Sequence, residues 1–425
     1  MENTIKKTLL NNWHKSNDAN MAEFGGYEMP LWYLSAKNEH MAVLNNAGLF
    51  DTSHMASVMV SGADAFELLQ HCFTNDMNAC LGKNRKPLVS GRCLYGAILN
   101  ENGEVIDDTI IFYIRENEYM AVVNAGMGNA AAEHFQKHKE NREVQIIDLT
   151  DRLGKIDIQG PAAGKIMKKL LKAPDLVFNK MPYFSFKGHF DKNHPHSEHV
   201  CLTDNTPILL SRTGYTGEFG FEIFAAPEHT VRIWEMLLTA GEEFNITACG
   251  LAARDSLRAG AVLPLSHQDI GHWPFINNPW PFSLPYNENN TGFTKEFIGS
   301  RALLNILQNS KNPEYTYAFA GNDLRKVTLP ALVFNSDRRE IGKVLTCATD
   351  MAIGRYKGKI YSTASPDKPE KCKIKGLSCG FVKVNNQLSS GDIIELRDSR
   401  RKIKVQIEND IRPDRTARKL MKNMI

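Results

Sequence analysis

The chain has 425 residues, 42% hydrophobic and 23% charged, the balance of a soluble globular protein of two or three domains that is long enough to bury a core without staples. Its 51 Lys and Arg against 48 Asp and Glu leave a formal charge of +3, too small an excess for electrostatic binding of nucleic acid or a membrane surface, so any anion site has to be local. Eight cysteines without a CxxC pair, an N-terminus without an apolar signal core and the lack of any apolar run of about 18 residues predict reduced thiols in a cytoplasmic protein that is neither secreted nor membrane-spanning.

In chain order, a helical pattern from Glu39 leads into GLFDTSHMASVMVSG, whose apolar residues alternate, and then into a helix over Ala63–Cys72. Gly91–Leu99 and Val105–Ile114 read as a hairpin, because the linker Asn100-Glu101-Asn102-Gly103 ends in Asn-Gly, the pair that best accepts a tight turn. Tyr119–Asn124 adds a strand and Ala125–Lys139 a helix. Strand, turn and helix recur from Leu153 through DIQGP into a helix near Ala162, which suggests related halves without a clean repeat. Helices follow over Pro227–Phe244 and Gly250–Ala261.

The next segment, SHQDIGHWPFINNPWPFSLPYNENNTGF, carries too much proline, asparagine and bulky aromatic for regular helix, and reads as a long structured loop. After a helix over Gly299–Asn309, the Lys/Asn/Pro segment Asn309–Pro313 predicts a boundary. Residues 1–312 form an α+β region on this reading, and 313–425 an all-β domain of short strands such as GDIIELRDSRRKIKVQIEN.

RTGYTGEFGFEI, Arg212–Ile223, holds Glu218 in a glycine-rich turn ahead of a strand-like run. It lacks the GxxxxGK[ST] pattern and the following helix of a phosphate loop, and Glu218 would repel a phosphate. Either the turn is structural with a solvated Glu218, or the glycines admit a flat heterocycle whose amino-imine edge donates to both carboxylate oxygens. Asp76 in TND reads as a turn residue or an N-cap. Asp107 and Asp108 in VIDD point to opposite faces of a strand, a poor acid–base pair, and read as structural.

Asn124 ends an apolar run, so its amide has to bond backbone or a ligand. Tyr95 reads as a core or rim aromatic. Arg254 and Arg258 share one helix face, one paired with an acid and the other free for an anion. His189, His194, His196 and His199 cluster without Cys or Glu partners at ligand spacing, and no metal site is expected. The basic tail RPDRTARKLMKN reads as a solvated terminus.

GGYEMPLWY, EHMAVLNNAGLFDTSHM, TNDM, LYGAILNENGEVIDD, VVNA, IQGP, RTGYTGEFGFEI and GLAARDSLRAG together resemble the aminomethyltransferase family, the T-protein of the glycine cleavage system and its folate-dependent relatives. The resemblance implies an α+β, three-domain architecture around a central folate cavity, closed by a C-terminal β-barrel. It also implies one-carbon transfer to tetrahydrofolate. By position it implies Glu218 as the pterin-reading carboxylate, with Tyr95, Asn124 and Met55 in the folate pocket. Asp76 is placed by it beside the one-carbon centre as the acidic catalytic residue, and Arg254 at the substrate end.

The family's segment resembling DIxxxxTPxExGLxW is replaced here by DIGHWPFINNPWPFSLPYNENNTGF, which brings Trp273, Phe275, Trp280, Phe282 and Tyr286. Trp32 and Phe219 also depart from the family pattern. The changes fall on the expected donor side, so the donor is either the aminomethyl-lipoyl arm of an H-protein or a small methylated compound drawn by an aromatic entrance. Alternatively the aromatics only pack the loop against the barrel. A non-catalytic folate-binding module is the reading from another class; the cysteine of its KGCYxGQE motif is absent here.

Overall fold

The computed structural model describes residues 5–311 and 313–425. Asn312, on which the expected domain boundary falls, and Met1–Thr4, with which the N-terminal reading begins, lie outside the described residues.

Two large sheets, a barrel and smaller three- and two-stranded sheets organise the described residues. A five-stranded antiparallel sheet runs in the order Arg92–Leu99, Val105–Arg115, Glu118–Val123, Ala56–Ser61, Gln145–Asp148. Its first two strands form the hairpin predicted from Asn-Gly, with Gly103 at φ 76°, the left-handed conformation glycine adopts without strain. A six-stranded sheet runs Phe186–Gly188, Leu209–Ser211, Gly220–Ala225, Gly154–Gln159, Ala47–Asp51, Ile246–Ala248. Gly154–Gln159 and Gly220–Ala225 are buried at every position, because neighbouring strands cover both edges and packed layers both faces. Helices Gly128–His138 and Ala163–Leu170 follow strands in each half, the recurrence visible in the sequence.

Six strands, Tyr315–Ala320, Leu377–Val384, Glu340–Asp350, Leu332–Phe334, Ile393–Arg397 and Lys402–Ile407, close into a barrel, which leaves no free edge. The α+β class with a C-terminal barrel thus stands. Helix Leu251–Gly260 packs between strand Tyr27–Trp32 and the barrel. Its approach is so close that a Cβ added to Gly260 would lie 1.8 Å from the Asp350 carboxylate.

Two expectations change. The basic tail is not a solvated terminus: Ile411 is 0% and Arg412 2% exposed. Arg412 donates to Asp350, 2.5 Å, and to Glu218, 3.2 Å, while Met424 joins the core beneath the six-stranded sheet. The aromatic loop, for its part, mostly packs. Phe275 and Trp280 are buried against the barrel, with the Trp280 ring 5.7 Å from Phe381 and its Nε1–H donating to Val262 O. Trp273 lies under the ammonium of Lys383 at 4.3 Å. Of the loop's Trp, Phe and Tyr side chains, Phe282, 62% exposed, is the one that stands out.

Candidate active site

Between the two sheets and the loop that follows helix Leu251–Gly260 lies a cavity of about 1210 Å³, larger than the few hundred to 1,000 or so Å³ typical of a single small-ligand site. Each wall is set by a different element. The five-stranded sheet contributes Tyr95, Asp108 and Asn124; the six-stranded sheet and the turn before it contribute Glu222, Gly214 and Tyr215. The helix contributes Arg254, the loop His267, Trp280 and Phe282, and the SHM turn His54 and Met55.

Met55, Tyr95, Asn124 and Arg254, four of the residues singled out from the sequence, therefore meet around one space. Glu218 and Asp76 do not line it. Glu218 precedes the strand, beyond Gly217 at φ 77°, and faces the C-terminal segment. Its oxygens accept from Arg412 Nε, from the Thr416 amide and, at 2.6 Å, from Thr416 Oγ1. A carboxylate so occupied ties segments together and offers no edge to the cavity. The Asp76 carboxylate accepts from Gln70 Nε2 and from the Asn78 amide two residues on, the bond of a turn-capping aspartate.

Of the four carboxyl groups that line the cavity, Glu23 is exposed and Asp255 is half-exposed beside Arg258, whereas Asp108 and Glu222 face it from the two sheets. Asp108 accepts from Tyr95 Oη at 2.9 Å and from Asn124 Nδ2 at 2.6 Å. Burial, and then the charge of Asp107, push its pKa up to about 7. Asp107 turns to the other side, as strand alternation requires, but the amide of Asn124, just past the end of its own strand, reaches both: Nδ2 lies 2.8 Å from Asp107 Oδ1. Asp107 also accepts from the Asn124 backbone N–H and from Ser266 Oγ. The structural reading of this pair is thus corrected for Asp108. It faces the cavity, and its partner supplies the repulsion that keeps it near neutrality.

Glu222 sits on the second wall, opposite Asp157 of the neighbouring strand. Its oxygens pair with Lys155 Nζ and Thr213 Oγ1, which leaves lone pairs free on each oxygen. Lys155 also holds Asp157 at 2.7 Å, and Asp157 accepts from Arg254 at 2.8 Å. The Arg254 guanidinium lies 5.1 Å over the Tyr215 ring. Arg258, by contrast, is consumed by Asp255 and Asp269.

The histidine cluster lies apart from these walls. His189, His194 and Glu118 bring ligand-type atoms within 4.8 Å of one another. The two rings are stacked at 3.9 Å, and each Nδ1 accepts a backbone N–H, from Asp191 and from His196. Coordination through Nε2 would put the ring proton against those donors, so both rings serve to hold the loop.

Comparison with known proteins follows the same lines. The family model described as the GCVT N-terminal domain matches residues 10–273. The chain belongs to the aminomethyltransferase (GCVT) family. It is 37% identical over 270 residues to an aminomethyltransferase of Staphylococcus epidermidis, covering 64% of this chain and 67% of that protein. An aminomethyltransferase of Chlorobium limicola is 35% identical over 80% of this chain and 86% of its own. The crystal structure of glycine cleavage system aminomethyltransferase T from Bartonella henselae superposes with a TM-score of 0.74 at 25% identity, covering 95% of this chain and 97% of that one. The family is one of transferases, so the cavity is an enzyme's. Among the described residues no helix is long and apolar enough to cross a membrane.

Reasoning from sequence missed Asp108 and Glu222. The signal for Glu222 was present, since GEFGFEI contains two glutamates and only the second falls inside the alternating strand, where a face is defined. For Asp108 the signal was a pair of adjacent acids in an otherwise apolar strand, where desolvation and mutual repulsion raise the pKa of a carboxyl.

Proposed function

We propose that this chain transfers a one-carbon unit to tetrahydrofolate in the central cavity, with Asp108 as the acid–base group and Glu222 as the carboxylate that reads the pterin. The observation that carries this reading is Asp108, a half-buried carboxyl whose pKa desolvation and the charge of Asp107 raise to about 7, across a ligand-sized cavity from a second carboxylate anchored by Lys155. The residues fit a reduced pterin. Glu222 keeps free lone pairs for an amino-imine edge, and Tyr95, Tyr215 and Phe282 offer ring faces to a flat heterocycle. Bound tetrahydrofolate would supply the nucleophilic nitrogen that accepts the carbon.

The chain's own contribution is electrostatic and positional. Ionised Asp108 stabilises positive charge developing on the donor's nitrogen, and as an acid it can return a proton to the departing amine. Tyr95 and Asn124 hold its oxygens in place. Arg254, fixed by Asp157, presents its remaining N–H groups to the donor end. Enclosure between the two sheets, the helix and the loop supplies proximity and excludes water. The donor of first choice is an aminomethyl group on the lipoyl arm of an H-protein partner, in a cytoplasmic setting. The exposed ring of Phe282, 6.0 Å from Tyr95, supports a second reading in which a small methylated compound is demethylated.

Calorimetric titration with tetrahydrofolate, followed by product analysis with aminomethyl-loaded lipoyl H-protein, methylated amines and aryl methyl ethers, tests this. Methylenetetrahydrofolate with ammonia release is expected from the first donor, and methyltetrahydrofolate marks demethylation. Binding without transfer from any of these donors, unaffected by Asp108→Asn, would reduce the protein to a folate-binding module.

A further inference from the structure

His54, in the SHM turn, lines the cavity at 4% exposure, and its Nδ1 is enclosed without a hydrogen-bond partner among the described residues. A buried polar nitrogen is costly to leave unpaired, so a ligand that engages the ring gains from it. The ring stands edge-on to Phe24, centroids 5.7 Å apart, which fixes its plane. Burial pushes its pKa down to about 4, the charge of Asp51 opposing this and that of Arg254 adding to it. The imidazole is therefore neutral and carries a single N–H.

Arg254 is tied to the same turn. One oxygen of Asp157 accepts from Thr52 Oγ1, two residues before His54, and the other from Arg254 Nη1, both at 2.8 Å. Nη1 is thus spent, while Nε and Nη2 have no partner among the described residues. These two form the edge of a guanidinium whose parallel N–H groups match the oxygens of a carboxylate. Leu251 and Ala252, which precede Arg254 in its helix, and Leu31, packed against the helix start at Gly250, line the cavity with apolar surface. Lys155 and Arg254 are balanced by Asp157 and Glu222, so no surplus of positive charge is left for a dianion such as phosphate.

We propose that the free edge of Arg254 and the imidazole of His54 form a seat for a carboxylate, and that this cavity accepts as donor a small methylated carboxylic acid with its methyl group turned towards Asp108. The inference rests on the one-carbon reading of the cavity and gives its second class of donor a chemical identity. Tyr215 lies within reach of the charges of both Arg254 and Asp108, so the seat and the acid–base group flank one side chain, a span suited to a small molecule. Transfer breaks the bond from methyl carbon to heteroatom, forms one to the folate nitrogen and leaves that nitrogen's proton on the heteroatom, so no oxidant is required.

Calorimetry on the ligand-free protein reads the seat without folate or turnover. Two pairs of probes serve, 3-methoxybenzoate with 3-methoxybenzamide and N-methylglycine with N-methylglycinamide. In at least one pair the acid should bind about 10-fold tighter than the amide, the effect of a bidentate charged contact. Arg254→Gln should abolish that preference by weakening the acid alone. Because Asp157 loses a partner in that variant, His54→Phe supplies the second test. It keeps a ring against Phe24 and removes the unpaired nitrogen, so it should melt no lower than the wild type while the acid binds about fivefold more weakly. A purely structural His54 would move melting and leave the preference alone. Lack of preference in both pairs overturns the seat whatever the activity, and undiminished acid binding in His54→Phe overturns the part given to His54. A clear preference for the acid, without carbon transfer to tetrahydrofolate from these acids or from aminomethyl-loaded lipoyl H-protein, would overturn the functional reading and leave the seat standing.

Discussion

On the proposed reading, Asp108 and Glu222 take the roles that the family resemblance implies for Asp76 and Glu218. Glu222→Ala removes the acceptor of a planar donor edge and is expected to weaken tetrahydrofolate binding 10- to 100-fold in calorimetry, the effect of stranding a hydrogen-bonding group worth about 1–3 kcal/mol. Unchanged affinity would remove Glu222 from the site. Asp108→Asn should leave affinity within about threefold while slowing turnover by about 10²–10⁴, the range of a lost general acid–base group. Its effect on stability has a definite sign. The carboxyl titrates near 7 when folded against 3.8 as its ordinary value, so its stabilising contribution is complete below about pH 4 and lost as pH rises through 7. An asparagine cannot ionise. Asp108→Asn should therefore melt above the wild type at pH 8, with the gap closing towards pH 4, and a scan showing the opposite order would contradict the buried-acid reading.

Among the elements, the turn before strand Gly220–Ala225 and the C-terminal segment are joined by an ion network, His40–Asp350–Arg412–Glu218, whose members are all at most 7% exposed. Glu218→Ala leaves a buried guanidinium short of a partner and is expected to cost about 3–5 kcal/mol in denaturant unfolding. Tetrahydrofolate affinity of the folded fraction should persist, a pairing of outcomes opposite to that of Glu222→Ala. Trp280→Ala opens a void against Phe381 and should also cost about 3–5 kcal/mol, whereas Phe282→Ala should barely move the melting temperature and instead change which donors react.

These contrasts show what periodicity can and cannot reveal. Helices, the Asn-Gly hairpin and the barrel strands follow from local patterns, and most of their ranges agree with the structure to within a few residues. Met55, Tyr95, Asn124 and Arg254 line one cavity, and their common position could be anticipated because each sits in a motif that also defines an element. Glu218 misled because Gly217 turns the chain, so the alternation that places Glu222 does not extend back to it. Asp108 misled because opposite faces of a strand were taken to mean separate environments, yet Asn124, folding over the strand end from a position 16 residues away, bridges them. The aromatic loop could not be divided into packing and exposed rings without its barrel partner, which lies about a hundred residues downstream.

For the whole molecule, no single layer owns the cavity: two sheets, a helix and a long loop each supply one wall. A ligand at 100 times its Kd should add about 2.7 kcal/mol to stability. Because every wall contributes, tetrahydrofolate should raise the melting of all layers together; a calorimetric trace that splits into ligand-sensitive and ligand-insensitive transitions would argue that the layers unfold independently. The loop after helix Leu251–Gly260 differs from the other walls in having neither strand nor α-helix; Trp280, Trp273 and backbone bonds to Gly103, Val105 and Thr316 hold it in place. A chimaera carrying a relative's segment there should inherit that relative's choice of donor while keeping the vitamin affinity of this chain, so that new chemistries can be acquired by trading about two dozen residues without disturbing the carboxylates behind them.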